Sequence, residues 1–269
     1  MGNYMSNPDQ FILDFYRDVA QRFGHSSQST MKDHVIRRAE EEFFIEEIKR
    51  YMKERNPRPV IADMGCGNGH LLKVLRETFP QCELMGIEFT PELYELAVAR
   101  EIPRCVILQG DIRDPKALPT KADVIITERV LINLLSDNDK QKAAQAIAQQ
   151  LSVQGRLLMS ESFLESWRKL NTARREVKLS PIPQSKQNRY MSEYDIQDYF
   201  PLGFVELKGI FSPHHLSTHF YFSRIYHHLM RPEGGQLQET EFVDFFDEAI
   251  GPGIGQYSPI QFRVLEKIV

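Results

Sequence analysis

The segment Asp63-Met64-Gly65-Cys66-Gly67-Asn68-Gly69-His70 constrains this chain more than any other. It joins a short apolar run, Val60-Ile61-Ala62-Asp63-Met64, to a helical pattern over 70–78. An apolar run stopped by glycines reads as a buried parallel strand. The glycines let the backbone turn sharply and come close to a ligand. A dinucleotide loop has the spacing G-x-G-x-x-G, with a pyrophosphate on the helix N-terminus. Here the spacing is G-x-G-x-G, and Asp63 stands two residues before the first glycine. A carboxylate there repels a pyrophosphate and suits a cation.

The same rhythm continues downstream. Strands expected at 83–87, 106–109, 122–127 and 156–160 alternate with helices at 91–100 and 138–150. Such alternation predicts a parallel sheet covered by helices on both faces. Late strands at 205–211 and 260–266, with helical patterns at 222–230 and 241–250 between them, complete the sheet. Glu88 ends the second strand, 19 residues after Gly69, where a carboxylate can hold ribose hydroxyls. Asp111 follows the third strand, within reach of an adenine amino group. Three acids at successive strand ends point into one crevice. Together they suit S-adenosylmethionine (SAM), whose amino and sulfonium groups are cationic. NAD fits less well, because the third glycine is misplaced and there is one nucleotide-binding half, not two.

The chain has 269 residues, 42% hydrophobic and 26% charged, enough for a substantial core. A net charge of -4 and a pI near 6.1 argue against a nucleic-acid partner held by phosphate contacts. Cys66, Cys82 and Cys105 are too few and too irregularly spaced for a disulfide framework or a zinc cluster. The expectation is a reduced, cytoplasmic protein without a metal. The N-terminus lacks the pattern of a secretion signal, and no stretch suits a membrane span. Met1-Gly2 with Ser6 matches an N-myristoylation pattern only superficially.

Residues 63–69 resemble the first motif of class I SAM-dependent methyltransferases, in the small-molecule branch. The order Asp63, Glu88, Asp111 and then Gln154-Gly155-Arg156 carries the resemblance from about 30 to 165. It implies an α/β, Rossmann-like, seven-stranded, mostly parallel sheet with helices on both faces. It also implies SAM as cofactor, with Asp63, Gly65, Cys66, Gly67 and Gly69 at the methionine end. Glu88 would serve the ribose and Asp111 and Ile112 the adenine, with Phe89, Glu128 and Arg129 also expected to bind the cofactor. The expected divisions are a helical cover at 1–56 and a SAM-binding domain at 57–269. The latter would carry a lid at about 165–200 and a helical insertion at about 222–252.

Methyl transfer to a hydroxyl or ammonium also needs a base, whereas a carboxylate needs none. Glu161, His214 and Tyr190 are the candidate catalytic residues. Glu161 could equally cap the next helix. The histidines His214, His215 and His219 are placed on late strands. Arg129, Asn133, Asn171, Arg174, Asn188 and Tyr190 are candidates for the acceptor. Seven basic residues fall within 168–189, opposed only by Glu176, and suit an anionic acceptor or a solvated face. Tyr16 and Met31 either pack in the core or touch a ligand. The favoured reading is O-methylation of a small polar or anionic molecule. N-methylation or carboxylate methylation, an RNA methyltransferase and a non-catalytic SAM-binding regulator are the alternatives. The apolar helices outside the core suit a homodimer or a lid equally well.

Overall fold

The chain is described by a computed structural model covering residues 7–29, 31–200, 203–230 and 240–269, without the side chains of Phe242 and Asp247. The N-myristoylation match and part of the expected insertion, 231–239, lie outside the described residues. Seven strands form one sheet in the order β3-β2-β1-β4-β5-β7-β6. They are β1 Val60–Met64, β2 Glu83–Glu88, β3 Cys105–Gln109, β4 Ala122–Glu128, β5 Leu151–Ser162, β6 Phe204–Leu207 and β7 Ile260–Lys267. Strands β1 to β5 pair in parallel, and β7 runs antiparallel to both β5 and β6. The order reverses between β1 and β4, so the crevice for a ligand opens at the strand ends beside β1.

Strand parity builds two cores. Ile61, Val124, Ile126 and Leu158 face one layer with Phe43, Phe44, Ile48, Leu72 and Leu75. Ala62, Met64, Ile125, Leu157 and Met159 face the other, with Ala143, Ala144 and Ile147. Both faces of the central strands are therefore apolar, which is why these runs show no alternation. The first layer contains α2 His34–Glu54 and α3 His70–Thr78; the second contains α5 Asp137–Gln150. Helix α4 Pro91–Val98 follows β2, and α6 Leu164–Glu176 follows β5. A strap, 177–194, leads from α6 to α7 Asp195–Tyr199.

Helix α1 Pro8–Phe23 begins with Pro8 at its first turn and Asn7 as cap, and stops at Gly24, φ 50°. Asp33 caps α2 by accepting from Ile36 N at 3.3 Å. Asp33 also accepts from Arg224 and bonds His219, both at 2.9 Å. Burial opposes its charge, but His219 and Arg224 outweigh it and hold the carboxyl at about 2.

Two expectations need correction. The strand expected at 205–211 is β6 and ends at Leu207, because buried Glu47 takes the N–H of Ile210 at 2.5 Å and turns the backbone away. His214 and His215 lie in the following turn, and His219 lies in α8 Ser217–Tyr221, not on strands. Helix α8 continues through a π-helical turn, Phe222–Tyr226, into α9 His227–Met230; α10 is Glu241–Ile250.

Candidate active site

A cavity of about 390 Å³ opens at the C-terminal ends of β1, β2 and β4. Its floor is the glycine loop. Gly65 N and Cys66 N both donate to Ile87 O, at 2.8 and 2.9 Å, which bends the chain tightly over β2. Gly65 has φ 86°, and a Cβ there would stand 2.4 Å from Val130 Cγ2, so only glycine fits. Gly67 N donates to Glu88 Oε2 at 2.9 Å, and Thr90 N to Glu88 Oε1 at 2.8 Å. Burial pushes the Glu88 carboxyl up, although these backbone donors oppose the shift.

Gly65, Cys66, Gly67, Glu88, Phe89, Asp111, Ile112, Glu128, Arg129, Asn133, Asn188 and Tyr190 all line the cavity. Asp63 lies beneath the loop, 2% exposed, with Oδ1 bonded to nothing among the described residues. Burial and the charges of Glu128 and Glu88 push its carboxyl well above the ordinary range. Gly69 stands outside the cavity. Its Cβ would approach Ala97 Cβ at 3.2 Å, so it serves the packing of α3 on α4.

Asp111 is clamped by Arg113, whose Nε reaches both carboxylate oxygens at 2.9 Å. Arg113 also binds Asp9 of α1 at 2.8 Å. At the other end, Glu128 pairs with Arg129 and lies 3.9 Å from Arg37. Burial works against Glu128, but Arg129 and Arg37 hold its carboxyl below the usual range. Arg129 has φ 55° and is fixed by its N–H to Ser160 O at 2.8 Å. Behind it, burial pushes Glu40 up to about 8, with Glu128 adding to the shift.

The remaining wall is neutral and polar. Tyr16 Oη donates to Asn133 Oδ1 at 2.8 Å. Asn133 Nδ2 donates to Gln187 O at 3.2 Å and Asn188 Oδ1 at 3.0 Å. Thus α1 and the strap meet at one side chain. Burial pushes Tyr16 up to about 12 and also raises Tyr190. Met31 lines the cavity as well.

Besides Asp63 and Gly69, four expected site residues are not brought to the cavity wall. Glu161 is fully buried. Its carboxylate accepts from Val130 N, Leu131 N and Ile132 N at 3.1, 3.0 and 3.4 Å, capping the turn after β4. His214 faces the strap and β7, where Glu193, Arg263 and Lys169 surround it. Asn171 bonds Ile182 through both ends of its amide, at 2.7 and 3.0 Å. Arg174 is drawn inward by Ser180 O and Arg224 O. Backbone groups take up the side chains of Glu161, Asn171 and Arg174.

Sequence reasoning missed Asn68 and Arg37. Asn68 Nδ2 donates to Gly24 O and Ser26 O, at 2.8 and 3.0 Å, pinning the turn after α1 to the glycine loop. A non-glycine residue inside the loop was the available signal. Arg37 offered none, since its partners lie far off in the chain.

Residues 57–198 match the family described as Methyltransferase domain. The chain belongs to this family. It is 25% identical over 160 residues to malonyl-[acyl-carrier protein] O-methyltransferase of Bacillus anthracis, covering 60% of this chain and 52% of that one. It is 33% identical over 88 residues to trans-aconitate 2-methyltransferase of Mycobacterium tuberculosis, covering 33% and 31%. The chain thus spans about half or less of the length of these curated relatives. The fold matches the magnesium protoporphyrin IX methyltransferase of Synechocystis PCC 6803 with bound SAM, at TM-score 0.57 and 14% identity. That match covers 99% and 100% of the two chains.

Proposed function

We propose that this chain is a SAM-dependent methyltransferase and that it methylates a carboxylate oxygen of a small anionic acceptor. The carrying observation is that the cavity's carboxylates and its histidine are engaged by neighbours. Asp9 and Asp111 bind Arg113, Glu88 holds the glycine loop, Glu128 pairs with Arg129, and His70 binds Glu41 at 2.8 Å. Glu161 is committed to a backbone cap. A hydroxyl or ammonium acceptor needs a group ready to take its proton, whereas a carboxylate arrives ionised. The two curated relatives add weight: one is named an O-methyltransferase of a malonyl group, and the other acts on trans-aconitate.

The residues at one end of the cavity fit SAM. The unpartnered Asp63 oxygen lies beneath a loop of bare backbone, as a cationic amino acid end requires. Gly65, Cys66 and Gly67 would flank that end, Glu88 the ribose, and Phe89, Asp111 and Ile112 the adenine. When bound, SAM supplies a methyl group activated for in-line displacement. The chain's own work is alignment and exclusion of water. Arg37 and Arg129 offset the acceptor's charge. Asn133, Asn188 and Tyr190 supply neutral hydrogen bonds that orient it. Tyr16, held at about 12 and committed to Asn133, keeps its proton and acts through Asn133.

The test uses radiolabelled methyl-SAM with malonyl-acyl-carrier protein, malonyl-N-acetylcysteamine, trans-aconitate, and hydroxyl and amine analogues of each. A methyl ester is released by alkali as methanol. Alkali-labile label on the carboxylates, with none on the amines, is expected. Alkali-stable label would overturn the reading and favour N- or ether O-methylation.

A further inference from the structure

We propose that the outer face of α6 and the adjoining strap dock an acidic protein that carries the methyl acceptor. This rests on the carboxylate reading above only in what the partner carries; the docking itself stands on charge and position. Arg168, Lys169, Arg175, Lys178 and Lys186 are all exposed. Arg168 and Arg175 are seven apart and share one helix face. Where these five cations have recorded side-chain partners, those partners are neutral: Arg175 meets Thr172 at 2.9 Å and Lys169 meets Gln256. Elsewhere the chain pairs its arginines with acids. Arg17 meets Glu92, Arg55 and Arg156 meet Glu266, and Arg263 meets Glu206. Clustered like charges cost stability, and Glu176 is the one acid within 168–189, so among the described residues this stretch keeps a positive excess on an otherwise acidic chain that attracts an opposite charge from outside.

The position of the cluster decides what that partner does. A groove of about 380 Å³ runs between α6 and the strap, lined by Trp167, Arg168, Asn171, Arg175, Pro181 and Pro183. Trp167 packs edge-on against Tyr190, with ring centroids 6.2 Å apart, and Tyr190 lines the catalytic cavity. Ser185 is exposed and also lines the cavity, so it marks the rim; Lys186 stands beside it, facing out. The strap therefore shows its inner side to the acceptor and its outer side to the docking face. A body held there presents a tethered group at the cavity mouth.

An acidic protein fits better than a nucleic acid. The chain's net charge of -4 repels a long polyanion beyond the patch, while a folded partner need meet only the patch itself. Charge complementarity of this kind acts mostly on association rate and weakens with salt.

The probes are purified malonyl-acyl-carrier protein, malonyl-N-acetylcysteamine and a 20-nucleotide RNA. The variant combines Arg168→Glu, Arg175→Glu and Lys178→Glu, with unchanged melting temperature and SAM affinity as controls for folding. Calorimetry should show the carrier protein binding the parent enzyme. Its affinity should fall at least tenfold in the variant and at least tenfold between 50 and 500 mM NaCl. In transfer assays kcat/KM should drop at least tenfold for the protein-borne malonyl group and stay within twofold for the free thioester. No binding of the carrier protein, binding that the variant leaves intact, or tighter binding of RNA would overturn the proposal. Methylation of neither thioester would sink the carboxylate reading, while the binding measurements would still decide the docking.

Discussion

Asp63 and Gly65 show how far single residues can be pressed. A buried carboxylate without a partner destabilises the free protein and strengthens any cation it meets. Asp63→Asn should therefore keep or raise the melting temperature while weakening SAM at least tenfold by calorimetry. Because burial raises the Asp63 carboxyl, SAM affinity of the parent should climb with pH as that group ionises. The asparagine variant should lose that slope; an equal slope in both would remove Asp63 from the cofactor's charge balance. Gly65→Ala combines two penalties, a left-handed backbone and a clash with Val130. The first costs about 1–2 kcal/mol and the second about 1–3 kcal/mol. Adding Val130→Ala removes the 2.4 Å contact with Cγ2 but keeps Cβ 2.9 Å away, so in urea unfolding it should restore only a fraction of the second part, while φ stays positive.

Elements succeeded or failed in the sequence according to how local their causes are. Strand β1 was legible because a five-residue run stopped by a glycine loop fits a buried strand, and the later central strands because their apolar runs alternate with helical patterns. The end of β6 was not, because it is set by Glu47 on α2, more than 150 residues earlier. Glu161 had two readings, base or cap, and nothing local separates them. The three N–H bonds it accepts define a cap. Burial pushes its carboxyl up to about 7, so the folded chain binds a proton more tightly than the unfolded one. Its contribution to stability is thus present below about 4.5 and lost as pH rises through 7. Glu161→Gln should flatten that part of the stability–pH curve. The amide also turns an NH₂ toward backbone donors, for a cost of about 1–3 kcal/mol. A lower melting temperature with kcat within a few-fold is expected. A hundredfold loss of kcat at unchanged stability would instead mark Glu161 as the base.

At the scale of the whole molecule the sequence brought together most of the cavity wall proposed for the cofactor and less of the wall proposed for the acceptor. The cofactor half is one continuous motif and two strand ends, each fixed within about 25 residues of its neighbour. The acceptor half is made of meetings such as Tyr16 with Asn133 and Asn133 with Asn188, across 117 and 55 residues. Arg174 shows the consequence: its charge suggested a ligand, but the carbonyl of Ser180, six residues on, and that of Arg224, close only in three dimensions, take it inward. The same long-range construction makes a ligand a structural member. The cavity is walled jointly by α1, the glycine loop, the turn after β4 and the strap. A molecule filling it must tie these parts together. SAM at a hundred times its Kd should stabilise the fold by about 2.7 kcal/mol. For a chain of this size that is a rise in melting temperature of roughly 5–10 °C. It should also protect the Gly24–Ser29 turn from trypsin at Arg22 and Lys32, because that turn is held to the loop by Asn68. Asn68→Ala removes the pin without touching the Asp63 or Glu88 carboxylates. It should therefore keep much of the thermal shift yet lose the protection, whereas retained protection would mean that α1 is held by Arg17, Arg100 and Arg113 alone.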